Sequence, residues 1–171
     1  KPTVLAKASS AMVHCSQRCT GCTLCETNFT MHNDGKAHPH IGRIKIGRNL
    51  NYGIQLQAGA FRNGDGQFGS LKLLGETCRQ CQEPFCGNAC PVGAISADTI
   101  TGARSVDTAV CIGCGSCQEA CPWQMATVDP VAGKSTKCAL CNGDPHCVRF
   151  CPNGAVRFLP WDEVVRLYRQ H

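Results

Sequence analysis

The sequence predicts an α+β chain of two similar halves with a β-rich insertion, and three observations carry that prediction. Sixteen cysteines fall among 171 residues, a density that marks either a disulfide scaffold or a metal protein. They form four groups of four with none left over. After the second and fourth groups the chain repeats itself, Cys90-Pro91-Val92-Gly93-Ala94-Ile95 against Cys151-Pro152-Asn153-Gly154-Ala155-Val156, and such repetition indicates a duplicated unit. Each unit reads as a ligand loop, a short helical turn ended by Cys-Pro, and a strand. Proline fixes φ and lacks an N–H, which ends the turn and redirects the chain.

Residues 1–14 are expected to form a lead-in with a short strand near Val4-Leu5. They hold no continuous apolar stretch of the secretory-signal kind, and no apolar run in the chain approaches the roughly 18 residues of a membrane span. The first group is Cys15, Cys19, Cys22 and Cys25. At the spacing of the third group a further cysteine falls due at position 29, where Phe29 stands, and Cys15 is the surplus residue. Residues 30–77 contain no cysteine and form the predicted insertion. Its alternating runs Arg43-Ile44-Lys45-Ile46 and Ile54-Gln55-Leu56-Gln57 read as half-buried strands, and Asn63-Gly64-Asp65-Gly66 as a loop. His32, His38 and His40 lie here and read as solvated rather than as ligands.

The second group is Cys78, Cys81, Cys86 and Cys90, with a lengthened middle gap that a loop absorbs. A hairpin is expected over residues 95–106 with Thr101-Gly102 at its turn. The third group is Cys111, Cys114, Cys117 and Cys121, followed by Pro122, and a second hairpin-like segment spans 126–137. The fourth group is Cys138, Cys141, Cys147 and Cys151. The tail from Pro160 reads as a helix, with Asp162 and Glu163 at its start and Arg166 and Arg169 toward its end, as the helix dipole favours. Val164, Val165, Leu167 and Tyr168 supply an apolar face for the body of the chain or for a partner.

The third group is the run C-x2-C-x2-C-x3-C-P of bacterial ferredoxins, in which three thiolates hold one iron–sulfur cube and the fourth ligates its neighbour. Applied to all four groups, the rule predicts four [4Fe–4S] clusters. One takes Cys19, Cys22, Cys25 and Cys151. A second takes Cys138, Cys141 and Cys147, with Cys15 as the proposed fourth ligand; the alternative there is a three-ligand or [3Fe–4S] site with Cys15 spare. A third takes Cys78, Cys81, Cys86 and Cys121, and the last Cys111, Cys114, Cys117 and Cys90. The predicted organisation is a ferredoxin-like half from residues 1–29 plus 138–171, including the terminal helix, the insertion at 30–77, and a second ferredoxin-like half at 78–137. Structural zinc uses paired C-x2-C knuckles, which three closely spaced thiols followed by Cys-Pro fit poorly. Disulfides between cysteines so close in sequence would be strained.

The formal charge of +5 counts every thiol as neutral. A cube with four thiolates carries about −2 when oxidised, so four of them bring the chain to about −3. The basic residues thus read as compensation for cluster charge. No basic run with interleaved aromatics points to nucleic acid. Cysteine density without a signal favours a reducing compartment, and the expected location is cytoplasmic. No nucleotide loop, Ser/His/Asp set or surplus carboxylate pair is evident, which favours a non-catalytic electron carrier over a cluster-bearing enzyme. Arg79, Lys137, Arg149 and Arg157 lie close in sequence to cluster cysteines, either raising local potentials or as solvated charges. Phe85 and Trp123 read as hydrophobic shielding.

The order of the groups, the CPVGAI and CPNGAV repeats, CPW after the third group and PW near the C-terminus resemble the four-cluster electron-transfer subunits of molybdenum and tungsten oxidoreductases, over about residues 15–162. Dimethyl sulfoxide reductase, formate dehydrogenase and nitrate reductase have relatives of this kind. Within that family CTGCTLCE, the segment Pro39-His40-Ile41-Gly42-Arg43-Ile44 and CALCNGDPHC are most similar to the small iron–sulfur subunits that accompany tungsten aldehyde oxidoreductases. The resemblance implies four cubes in a row and a hetero-oligomer with a tungsten- or molybdenum-pterin catalytic subunit. In some relatives a flavin subunit that uses NAD receives the electrons. Nitrate reductase relatives have Trp in place of one cysteine of the third group, which here is complete. The alternatives are a free polyferredoxin serving several redox partners, or the electron-transfer subunit of a formate dehydrogenase or hydrogenase complex.

Overall fold

The computed structural model describes residues 2–49 and 72–169. The expected strand at Ile54-Gln55-Leu56-Gln57 and the loop at Asn63-Gly64-Asp65-Gly66 lie outside the described residues. Among the described residues helices and strands are short, and the strands pair two by two in four antiparallel sheets. Chains this rich in ligand loops have little sequence left for long elements, and the thiols themselves occupy the core.

The first strand, β1 (Ser10–His14), pairs with β8 (Val156–Pro160), so that Ser10 faces Pro160 and His14 faces Val156. The expected strand at Val4-Leu5 is not formed. That segment finds one backbone partner, Leu5 N–H donating to Gln82 O at 2.8 Å, and Val4 is exposed; without a neighbouring strand it stays extended and irregular. Helix α1 (Leu24–Asp34) starts beside Cys25 and ends where Gly35 turns left-handed, its N–H bonding Met31 O. The other three groups stop their helical turns at Cys-Pro. Here Phe29 replaces the cysteine and no proline follows, so the helix runs on for 11 residues.

Beyond a 3-10 turn at Pro39–Ile41, β2 (Ile44–Asn49) pairs with β3 (Lys72–Thr77) in register Ile44 to Thr77. The second group carries α2 (Phe85–Asn88), then the hairpin of β4 (Ile95–Ala97) and β5 (Arg104–Val106). Asp98 holds the turn: its Oδ1 accepts the Ile100 and Thr101 N–H groups and the Thr101 hydroxyl. The third group carries α3 (Ser116–Ala120) and the hairpin of β6 (Ala126–Asp129) and β7 (Lys134–Lys137). The fourth carries α4 (His146–Arg149), which leads to β8. Helix α5 (Trp161–Arg169) closes the described chain. It packs on β1 and β8, burying Val164, while Val165 stays exposed.

Helix α1 packs on α4, and α2 on α3. One apolar cluster gathers Met12, Phe29, Ile44, Leu140 and Val156 around Cys25, Cys138 and Cys147. A smaller one sets Ile95 and Ala126 around Cys86 and Cys117. Phe29 is 2 % exposed, and burial of such a side chain stabilises by about 1.5–3 kcal/mol.

Candidate metal centres

Three cavities are each lined by four cysteines, and in each the fourth comes from a distant group. Cys78, Cys81 and Cys86 share one with Cys121. Cys111, Cys114 and Cys117 share another with Cys90. Cys19, Cys22 and Cys25 share the third with Cys151. Cys138, Cys141 and Cys147 form the remaining set: they act on one another electrostatically, and Cys147 also feels Cys25. Cys15 sits at the end of β1, its N–H bonded to Ala155 O at 2.7 Å and its thiol facing Gln17 Oε1 at 3.4 Å.

A regular backbone device builds these loops. The residue before the second cysteine of the first C-x2-C pair has positive φ in all four groups: Gly21 at 69°, Gln80 at 50°, Gly113 at 69° and Leu140 at 57°. Glycine adopts this freely, whereas other residues are strained by about 1–2 kcal/mol. The fourth group concentrates the strain, with Leu140, Cys141 and Asn142 left-handed in succession. Such strain persists where surrounding structure or a ligand over-determines the loop.

A second device serves the last cysteine of three groups. Ala94 N–H donates to Cys90 Sγ at 3.3 Å, Met125 N–H to Cys121 Sγ at 3.4 Å and Ala155 N–H to Cys151 Sγ at 3.2 Å. Each donor follows a left-handed residue, Gly93, Gln124 or Gly154. Further donors reach Cys19 and Cys111: Gly21 N–H to Cys19 Sγ, and both Gly113 and Ser135 N–H to Cys111 Sγ, all at 3.4 Å. Hydrogen bonds to sulfur favour the thiolate form.

Burial works the other way. It pushes Cys25 up to about 12, helped by Glu26, and Cys138 up to about 12, helped by Cys78. Burial also raises Cys147 and, against the pull of Lys137, Cys86. Thiols buried this deeply become thiolates only if positive charge meets them, which iron supplies.

The cavity of Cys78, Cys81, Cys86 and Cys121 is lined by three cations, an exposed Arg79 paired with Glu76 and two that are buried. Lys137 is buried, with Nζ 3.7 Å from Cys86 Sγ. Arg104 is fully buried, its Nε bonded to Cys81 O at 2.8 Å and its Nη1 to Ala6 O at 2.6 Å and to Gly102 O. Its Nη2 is buried with no hydrogen-bond partner among the described residues. Burial lowers the Arg104 pKa from the usual value, and Cys78, Cys81 and Cys86 oppose that.

Sequence reasoning missed Arg104, since a lone Arg in a predicted hairpin carries no signal of burial. Lys137, which the sequence marked only as a neighbour of Cys138, is buried against Cys86, 51 residues away. Arg149 and Arg157 are instead on the surface, paired with Asp144 and with Glu163. Arg79 pairs with Glu76 at 2.9 Å and lies 4.9 Å from the Trp123 ring. Phe85 and Trp123 wall the same cavity from outside. His32 stacks on His146 with centroids 3.5 Å apart, and His40 is exposed.

The donor set fits iron–sulfur cubes: four thiols per cavity, apolar walls and N–H groups on sulfur. Among the described residues no group of three His, Cys, Asp or Glu side chains is placed to hold a single metal ion. No helix among them is long and apolar enough to cross a membrane.

Comparison with known proteins agrees with this chemistry. Residues 70–160 match the family model described as a 4Fe-4S dicluster domain. The uncharacterized ferredoxin-like protein YdhY of Escherichia coli K12 is 44% identical over 147 residues, which is 86% of this chain and 67% of that protein. The polyferredoxin-like subunit of aliphatic sulfonate oxidoreductase of Pyrococcus furiosus is 34% identical, over 78% of this chain and 66% of that protein. The beta subunit of NADH-dependent phenylglyoxylate dehydrogenase of Aromatoleum evansii is 32% identical, over 91% of this chain but 31% of its own length.

Proposed function

This chain belongs to the 4Fe-4S dicluster domain family, and from that premise we propose that it is a non-catalytic electron-transfer subunit of an oxidoreductase complex. Its sixteen cysteines fit four [4Fe–4S] clusters. When bound, each cluster supplies a one-electron redox centre whose charge is spread over the cube and its thiolates. The rest is the work of the chain.

The observation that carries this reading is the exchange of last cysteines. Cys121 lies with Cys78, Cys81 and Cys86, and Cys90 with Cys111, Cys114 and Cys117. A closed set of four thiolates leaves no iron open to a substrate, so electrons pass and chemistry happens elsewhere. The ligand sets are those given above, with Cys15 completing the set of Cys138, Cys141 and Cys147. The packing of α1 on α4 and of α2 on α3 supports two ferredoxin-like halves. The first comprises residues 1–29 and 138–171 and the second residues 78–137.

The electrons run between a catalytic subunit carrying a tungsten or molybdenum pterin, of the aldehyde oxidoreductase type, and a flavin/NAD or other acceptor. Two relatives are subunits of oxidoreductases by name, which supports a hetero-oligomer. A free polyferredoxin remains the second reading, favoured by the ferredoxin-like description of YdhY.

The test is anaerobic purification with iron, acid-labile sulfide and tungsten or molybdenum analysis, and EPR of the reduced form. The expected result is about sixteen irons per chain and a co-purifying subunit that contains the pterin metal. A lone monomer with sixteen irons would support the polyferredoxin, and zinc without sulfide would reject both.

A further inference from the structure

We propose that Lys137 and Arg104 raise the reduction potential of the cluster at Cys78, Cys81, Cys86 and Cys121, so that it is the first of the four to take an electron. The inference rests on the four-cluster reading above. One electron enters from the tungsten- or molybdenum-pterin subunit proposed above, which is oxidised by one electron; no bond breaks and no proton moves, and the cluster with its thiolates goes from about −2 to about −3. A fixed cation stabilises the more negative state in proportion to the added charge, and more strongly where water is excluded.

Both cations are held in place. Arg104 is 0 % exposed and Lys137 6 %. Three carbonyls fix the guanidinium of Arg104, a residue of the cavity lining whose Nη2 is buried without a partner among the described residues, and the Lys137 ammonium stands 3.7 Å from Cys86 Sγ. Neither has a carboxylate partner among the described residues.

The other sites differ. The cavity of Cys90, Cys111, Cys114 and Cys117 is lined by no charged side chain among the described residues. Lys134 lies near it, half-buried, but is bound to the Cys111 carbonyl rather than to a sulfur. The cavity of Cys19, Cys22, Cys25 and Cys151 has Arg18, which is exposed to water. At the set of Cys138, Cys141 and Cys147, Arg43 is offset by Asp34 at 3.5 Å, and Lys137 also acts on Cys138, but its Nζ contacts the Cys86 sulfur.

The competing lever is the neutral N–H dipole. It is strongest at Cys111 and Cys117, where Gly113, Ser135 N–H and the Ser135 hydroxyl gather. Charged donors are roughly twice as strong as neutral ones, and a monopole falls off more slowly with distance than a dipole. Two whole charges therefore outweigh those donors.

The experiment is a redox titration of the anaerobic holoprotein followed by EPR. In Lys137→Met the reduced-to-oxidised ratio of the first-reduced cluster, read at fixed potential, is expected to fall about tenfold, or 59 mV for one electron. Lys137→Gln should behave alike, Lys137→Arg should stay near the wild type, and the other signals should move less, the largest of these smaller shifts falling on the cluster of Cys138, Cys141 and Cys147, because Lys137 also acts on Cys138. Cys121→Ala should abolish or convert the first-reduced signal. The inference is overturned if Lys137→Met and Lys137→Gln leave that ratio unchanged, if all clusters shift alike, or if Lys137→Arg shifts as far as Lys137→Met. It is equally overturned if the first-reduced signal survives Cys121→Ala. Wild-type iron well short of sixteen would defeat the four-cluster reading itself; sixteen irons with a different order of reduction would defeat only this inference.

Discussion

The Gln80 side-chain amide donates to the Cys138 carbonyl at 2.9 Å, tying the loop of the second cysteine group to that of the fourth. The same side chain accepts the Arg104 backbone N–H at 2.7 Å. Gln80 is buried, so truncation leaves a carbonyl and an N–H without partners and without water. Each such group costs about 1–3 kcal/mol, so Gln80→Ala is expected to destabilise the holoprotein by about 2–4 kcal/mol. Chemical unfolding followed by loss of iron–sulfur absorbance measures this, and a change below about 0.5 kcal/mol would mean that the bridge contributes nothing net.

His14 predicts a pH dependence. Its Nδ1 accepts the Gly75 N–H at 3.0 Å, joining β1 to β3, and its Nε2 is buried without a partner among the described residues. Gly75 permits this approach, because a Cβ there would overlap the imidazole. Burial lowers the His14 pKa from 6.5, with Glu76 opposing. The folded state therefore prefers neutral imidazole. Its stabilisation is full above pH 6.5 and is lost as the pH falls through the lower folded value. Thermal midpoints taken downward from neutral pH should fall more steeply in the wild type than in His14→Asn, whose amide oxygen accepts the same N–H without titrating. Parallel profiles would contradict this.

Arg149 and Arg157 predict the opposite, an absence of effect. Both are more than 40 % exposed as side chains and pair with carboxylates of similar exposure. Exposed pairs contribute about 0–1 kcal/mol. Arg149→Ala and Arg157→Ala should each change stability by less than about 1 kcal/mol and leave every cluster potential where it was. A potential shift comparable to that of Lys137→Met would show that sequence proximity to a cysteine matters more than burial.

What the sequence made legible follows from what is local in it. Spacing and Cys-Pro stops placed α2, α3 and α4, and turn residues placed both hairpins, because each is determined by a few neighbouring residues. The thiol groupings were readable as a pattern because the unfinished run at Cys111 asks for a ligand from elsewhere. Arg104 was not readable: its burial depends on Cys81 and Ala6, which are far from it in sequence. Nor was the left-handed backbone at Gln80 and Leu140, since neither residue type prefers it. The lead-in misled for a similar reason. Val4-Leu5 has strand-forming residues, but a strand requires a partner, and the neighbouring Gln82 offers one carbonyl.

Phe29 offers the sharpest test of how the first group differs from the rest. It stands where a fourth cysteine is due and packs in the same cluster as Cys138, Leu140 and Cys147. A thiol at this position thus starts beside the set that Cys15 is proposed to complete. Cys15→Ala is expected to remove or convert one cluster, taking iron from about sixteen to about twelve on loss or about fifteen on conversion to [3Fe–4S]. The double variant Cys15→Ala with Phe29→Cys is expected to restore it. The restored protein should be less stable than the wild type by up to about 3 kcal/mol, because the smaller side chain leaves a cavity under α1. Full iron in Cys15→Ala alone would remove Cys15 from the ligand set. Loss of iron in both variants would place the missing ligand somewhere other than the Phe29 side of the core.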